Sequence, residues 1–216
     1  RLFSPLDGCR GHTLRPGPFT RLVAISIAIM MVASFVLVLA GCSTDDPLAD
    51  QFREGGNKNY IAGDGTVTEY SEENRPEAQP WGGFTESGER LDSVQLDGVV
   101  TVMNWWYAAC APCRDEAPDL VDLAEEYESE GVQFIGVNVR DTPETALAFA
   151  RNFGVTYPSI MDARTGAVSL AFTGVVTPQA VPTTLVIDSE GRISSKILGR
   201  IDPSILGELI ETAIEQ

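Results

Sequence analysis

The chain has 216 residues, with 15 Lys and Arg against 31 Asp and Glu, a formal net charge of −16 and one histidine. That balance repels nucleic acid and anionic lipid headgroups alike, so a basic-patch binder of either kind is excluded. An acidic, soluble surface is the simplest reading of the charge, and it says little about a substrate.

Residues 1–41 read as a leader. Arg1, Arg10, Arg15 and Arg21 are its basic residues, Asp7 is its only acid, and Leu22 to Ala40 is an uncharged apolar run of 19 residues. A basic start, an apolar stretch and small residues at its end make an export signal. The closing Leu39-Ala40-Gly41-Cys42 resembles the lipobox of bacterial lipoproteins. That resemblance implies cleavage before Cys42, lipid on Cys42, and a protein held on the outer face of the bacterial cell membrane. The alternative is an uncleaved anchor, since an apolar run of this length just spans a bilayer. Both readings put the rest of the chain outside the cytoplasm. Without the leader, 11 basic and 30 acidic residues remain.

Residues 42–80 are expected to be an acidic flexible tether, rich in Asp, Glu, Gly, Asn and Pro and sparse in apolar residues. Within it, Thr66 to Tyr70 is compatible with a short strand. Residues 81–216 form the predicted domain, large enough for a proper core. Trp81 to Phe84 and Arg90-Leu91 flank a hairpin turn. Val99 to Tyr107 reads as a buried central strand. Pro112 to Glu130 reads as a helix with Ala117, Leu120, Val121, Ala124 and Tyr127 on one face, stopped at Gly131. Val132 to Val139 is a second buried strand, and Thr142-Pro143 opens a helix that ends at Gly154. A short strand at 158–161 and a short helix at 166–172 follow. Thr183 to Asp188 and Arg192 to Leu198 are strands joined by a turn. Asp202-Pro203 caps a last helix, with Ile205, Leu206, Leu209, Ile210 and Ala213 facing inward. Strands alternating with helices, then a hairpin and a helix, predict an α/β fold: a mixed sheet with helices on both faces.

Cys110-Ala111-Pro112-Cys113 falls where the central strand gives way to the acidic helix. A helix N-terminus carries about half a positive charge and unpaired N–H groups, which favour a thiolate. Two cysteines three apart can close a disulfide, one attacking a target and the other releasing it. The same spacing also serves zinc, haem or a structural disulfide. Haem attachment needs histidine next, and position 114 is Arg. Zinc needs two further ligands, whereas Cys9, His12 and Cys42 all belong to the leader or its end. No metal and no cofactor beyond a redox-active Cys110–Cys113 disulfide is expected. In the oxidising space outside the cytoplasm such a pair requires a redox partner.

Trp106 to Pro118, then Val137-Asn138-Val139, then Val181-Pro182-Thr183-Thr184-Leu185-Val186-Ile187-Asp188 resemble the TlpA/ResA branch of the thioredoxin-like proteins. The resemblance covers about residues 81–216 and implies a thioredoxin-like fold. It implies that Cys110 attacks, that Cys113 resolves, that Pro182 is a cis-proline facing the cysteines, and that Val181 offers backbone hydrogen bonds to a bound peptide. It also implies a proton-handling role for Glu116 and a kink at Pro118. Most relatives carry Trp just before the first cysteine. Here Ala109 stands there, and Trp105, Trp106 and Tyr107 are the aromatic residues placed to compensate, Trp106 as a substrate contact. The loop from Phe172 to Ala180 is longer than in many relatives. Cys110 is expected at the exposed end of the pair and Cys113 deeper.

The resemblance implies a reductase of disulfides in exported proteins such as apocytochrome c, supplied by a membrane electron donor of the CcdA/DsbD kind. An extracytoplasmic disulfide oxidase or isomerase is the alternative. A non-catalytic copper carrier is a third, disfavoured because no histidine follows Cys42.

Overall fold

The computed structural model describes residues 63–216; the predicted leader, Cys42 and the first part of the predicted tether lie outside them. Six strands form one mixed sheet in the order β1-β8-β7-β4-β5-β6. They are β1 (Thr66–Glu69), β4 (Thr101–Trp106), β5 (Gln133–Asn138), β6 (Ser159–Met161), β7 (Thr183–Ile187) and β8 (Ile193–Leu198); β2 (Gly82–Phe84) and β3 (Arg90–Asp92) make a separate hairpin. The helices are α1 (Ala111–Glu126), α2 (Pro143–Phe153), α3 (Ala167–Ala171) and α4 (Pro203–Ile214). β4 runs parallel to β5 and antiparallel to β7, and β5 runs parallel to β6. This is the mixed sheet that the alternation predicted.

Every residue of β4 is buried, because successive side chains of a strand point to opposite faces and here both faces are covered. Val102 joins Leu120, Leu123, Leu206 and Ile210 from α1 and α4 in one core. Met103 and Trp105 join Phe149, Val168 and Phe172 in the other. The hairpin covers the β6 edge: the Glu86 N–H donates to the Ser159 carbonyl at 3.1 Å and the Ser159 N–H to Glu86 Oε2 at 2.7 Å. An edge so closed cannot recruit another strand.

The segment before residue 81 departs from expectation. From residue 63 it belongs to the domain rather than to a tether. β1 pairs antiparallel with β8 along its whole length, and the Arg75 guanidinium meets the Asp188 carboxylate at 2.8 Å with both side chains nearly sealed, 3% and 4% exposed. Composition concealed this because an edge strand needs few apolar residues; Val67 alone packs on the core from β1. Gly63 and Gly199 meet backbone to backbone: a Cβ on Gly199, itself at φ 103°, would stand 2.6 Å from the Gly63 carbonyl carbon, and one on Gly63 would overlap the Leu198 carbonyl. Only glycine allows that approach. α4 buries Leu206, Leu209, Ile210 and Ala213 as expected, but Ile205 points outward and is 42% exposed. α1 runs unbroken through Pro118.

Candidate active site

α1 begins immediately after Cys110, whose backbone is extended (φ −75°, ψ 115°). Its Sγ takes the capping position that a Ser or Asp oxygen usually fills, accepting the Cys113 N–H at 3.3 Å. Pro112 lies in the first turn, where a missing N–H costs nothing. Cys110 and Cys113 are joined by a disulfide, with Sγ atoms 2.05 Å and Cα atoms 5.3 Å apart. Opposite, the Val181–Pro182 peptide is cis, and the Val181 carbonyl oxygen lies 3.9 Å from Cys110 Sγ. Residues about 70 apart in sequence thus meet because β4 and β7 are hydrogen-bonded neighbours.

Two expectations about this surface are corrected. Cys110 is as enclosed as Cys113, 0% and 2% exposed, with Val181 against its sulfur; exposure does not separate the two cysteines, whereas position on the helix does. The aromatic residues before Cys110 do not replace the missing rim Trp. Trp105 is buried edge-on to Phe172 at 5.1 Å, and Trp106 is buried against Phe149 at 4.3 Å with its Nε1–H on Ser159 Oγ at 3.2 Å. They belong to a strand sandwiched between helices and cannot reach the surface, so Trp106 backs the site from behind. Tyr107 lies beneath the Arg140 guanidinium at 4.5 Å. What the rim exposes is Ala109 and Ala111. In the 172–180 loop, Phe172 and Val176 are buried, which fastens the loop that leads into Val181.

Glu116 is completely buried on α1. Asn104 Nδ2 donates to its Oε1 at 2.8 Å and to Thr184 Oγ1 at 3.0 Å, and the Ile201 N–H donates to Oε2 at 3.0 Å. Burial pushes the carboxyl up to about 8, although the Ile201 and Asn104 hydrogen bonds and the Arg200 charge pull the other way. Desolvation therefore outweighs two hydrogen bonds and a cation. Beside it, a cavity of about 10 Å³ is lined by Cys113, Asn104, Trp106, Tyr157 and Ser159 among others. Tyr157 is half-buried. Burial first, and the Glu116 carboxylate second, push its phenol above the usual range.

Sequence reasoning missed Asn104, Thr184, Asn138, Asp141 and Tyr157 as parts of this site. Asp141 Oδ2 accepts the Ala108 N–H at 2.7 Å and Asn138 Nδ2 at 2.8 Å, which fastens the loop before Cys110. Asn at a strand's last residue with Asp three residues on is the signal for such a side-chain-held turn.

A disulfide whose first cysteine caps a helix, with a cis-proline across from it on a thioredoxin-like sheet, is the arrangement of a thiol–disulfide exchange centre. The fold and the site define that class.

A family model, the AhpC/TSA family, matches residues 77–196, and the chain belongs to that family. It is 33% identical over 120 residues to the thiol:disulfide interchange protein HelX of Rhodobacter capsulatus, spanning 56% of this chain and 64% of that one. It is 28% identical to the thiol-disulfide oxidoreductase ResA of Bacillus subtilis over 56% of this chain and 64% of that one. The chain thus spans just under two thirds of the length of each of these relatives. Among solved structures it is similar to a secreted thiol-disulfide isomerase from Corynebacterium glutamicum, with a TM-score of 0.65 and 27% identity over 73% of this chain and 98% of that one. A DsbF homologue from Corynebacterium diphtheriae superposes with a TM-score of 0.61 at 29% identity, over 69% and 94%.

Proposed function

We propose that this chain is an extracytoplasmic disulfide reductase, tethered by lipid on Cys42, that acts on specific exported proteins. The TlpA/ResA resemblance makes apocytochrome c the leading substrate and a membrane protein of the CcdA/DsbD kind the electron donor. Val181 would pair with the backbone of the incoming peptide, by strand addition beside the cysteines. The observation that carries the direction of electron flow is Glu116, buried one helical turn beyond Cys113 with its carboxyl raised to about 8. A helix N-terminus favours thiolate and so makes a disulfide oxidising, as in strongly oxidising exchange proteins whose reduced form is stabilised. A buried carboxyl offsets that preference, because a carboxylate and a thiolate cannot both be charged cheaply in one desolvated site, so one of the two keeps its proton. The pair then holds its electrons less tightly and gives them up to a substrate disulfide.

Similarity to a secreted isomerase and to a DsbF homologue at 27% and 29% identity favours a second reading, an oxidase or isomerase of exported proteins. The reduction potential of the Cys110–Cys113 couple separates the two. A value near −270 mV is expected, and one near −120 mV would overturn the reductase reading. Cys113→Ser should accumulate a mixed disulfide through Cys110, soluble in reductant. Haem-attachment Cys-x-x-Cys-His sequences among the trapped partners support cytochrome maturation, whereas a broad set of exported proteins supports the second reading.

A further inference from the structure

Among the described residues, two buried side-chain polar atoms meet no hydrogen-bond partner: Arg75 Nε and Ser195 Oγ. Both residues line one cavity of about 230 Å³, where the segment after β1 meets β8 and α4. The Arg75 side chain is 3% exposed. Its Nη1 donates to Asp188 Oδ2 at 2.8 Å and its Nη2 to Gln216 Oε1, so the Nε–H is the donor still to be used. Ser195 is 2% exposed. Its place in β8 is fixed by Glu69 of β1 on one side and Val186 of β7 on the other, and its hydroxyl holds nothing. A desolvated N–H or O–H without an acceptor is costly. Two such donors on one cavity call for an acceptor oxygen inside it.

A bare anion does not suit the rest of the wall. Asp188 already offsets the Arg75 charge, and the exposed Glu69 and Glu72 stand at the rim. A bare cation does not suit the two inner donors. Both ends of the wall are matched only by a molecule that carries a carboxylate and an ammonium group together. Leu209 and Tyr70 supply an apolar stretch between them. Size sets the limit: a cavity of about 150 Å³ holds benzene, and drug-sized ligands need about 300 Å³ or more. We propose that this cavity binds a small zwitterionic amino acid. Its carboxylate accepts from Arg75 Nε–H and Ser195 Oγ–H, and its ammonium group lies at Glu69 and Glu72. The Glu72 side chain is 69% exposed and 3.9 Å from Arg192 Nη2, so its carboxylate keeps lone pairs for an ammonium group. β8 reaches the cysteine end of the sheet only at Leu198, which pairs with Thr183 beside the cis-proline, so the cavity is separate from the redox site.

The test is NMR of the oxidised full chain, because a buried Arg75 Nε–H exchanges slowly with water and gives its own signal. Titration with glycine and, separately, with L-alanine should move that signal and the Ser195 amide signal saturably in the millimolar range. Acetate and methylamine, each carrying one half of the zwitterion, should move neither. Ser195→Ala removes a hydroxyl that holds nothing else in the fold, so its urea midpoint should match the wild type. Its Kd for the amino acid should rise about tenfold, the worth of one hydrogen bond to a charged group. Glu72→Gln, on the exposed rim, should weaken binding about threefold. Acetate that binds as well as glycine overturns the zwitterion. No saturable shift with either amino acid, or unchanged affinity in both variants, overturns the site and leaves the two donors to water. Amino-acid binding here and disulfide exchange at Cys110 are read by separate measurements, so failure of one leaves the other standing.

Discussion

Glu116 shows how one side chain ties stability to pH. An unfolded Glu titrates near about 4.3, and in the fold it titrates at about 8. Between those values the folded state holds a proton that the unfolded chain has released, so stability falls as pH rises through the window. The contribution is complete below the lower value and lost above the upper one. Glu116→Gln imitates the protonated acid and carries no such slope. Urea unfolding of the oxidised protein should therefore show the variant gaining on the wild type as pH rises from about 5 to about 8. Parallel curves would mean that the carboxyl is ionised throughout. The sequence held the signal for this burial. Cys113, Glu116, Ala117, Leu120 and Leu123 are the buried residues of α1, spaced by three, one, three and three, and the charge of Glu116 hid a position on the apolar stripe. Its partners Asn104, Thr184 and Ile201 lie on other elements, and no local pattern joins them to it.

At the scale of elements, strands and helices from residue 81 onward were legible because their apolar periods are long and their boundaries carry Gly, Pro and cap residues. β1 was half-legible, since a polar edge strand of four residues resembles loop composition until its partner is known. The segment after β1 is fixed by the ion pair of Arg75 with Asp188 together with backbone hydrogen bonds, the Tyr70 N–H to the Ser194 carbonyl and the Ile193 N–H to the Pro76 carbonyl, both 2.9 Å. Asp188 also accepts Arg192 Nε at 3.1 Å and the Glu190 and Arg192 N–H groups, so it stays partly satisfied when Arg75 is lost. Arg75→Met should cost about 3 kcal/mol, at the lower end for breaking a buried pair. Denaturant midpoints at unchanged m-value measure it; a loss below about 1 kcal/mol would place the pair in the screened class of surface bridges.

Over the whole molecule, the acidic excess and the proposed tether work together. A strongly acidic domain is repelled by anionic headgroups, so under the proposed function its hold on the membrane would rest on lipid at Cys42 rather than on surface charge. Cys42→Ser should abolish incorporation of a labelled fatty acid while the domain keeps its unfolding midpoint. Equal label in variant and wild type would remove the lipid anchor. Two acyl chains bind a bilayer far more firmly than one, which is why a single processed cysteine is sufficient in this reading.

The backbone contact of Gly63 with Gly199 gives this arrangement a mechanical side. Gly199 is two residues from Ile201, whose N–H holds Glu116 Oε2 at 3.0 Å. The backbone just before β1 is therefore in contact with the backbone that leads to the acid behind the cysteines. A methyl group on Gly63 would therefore push the 198–201 backbone away and should slacken the grip on a carboxyl 53 positions later in the sequence.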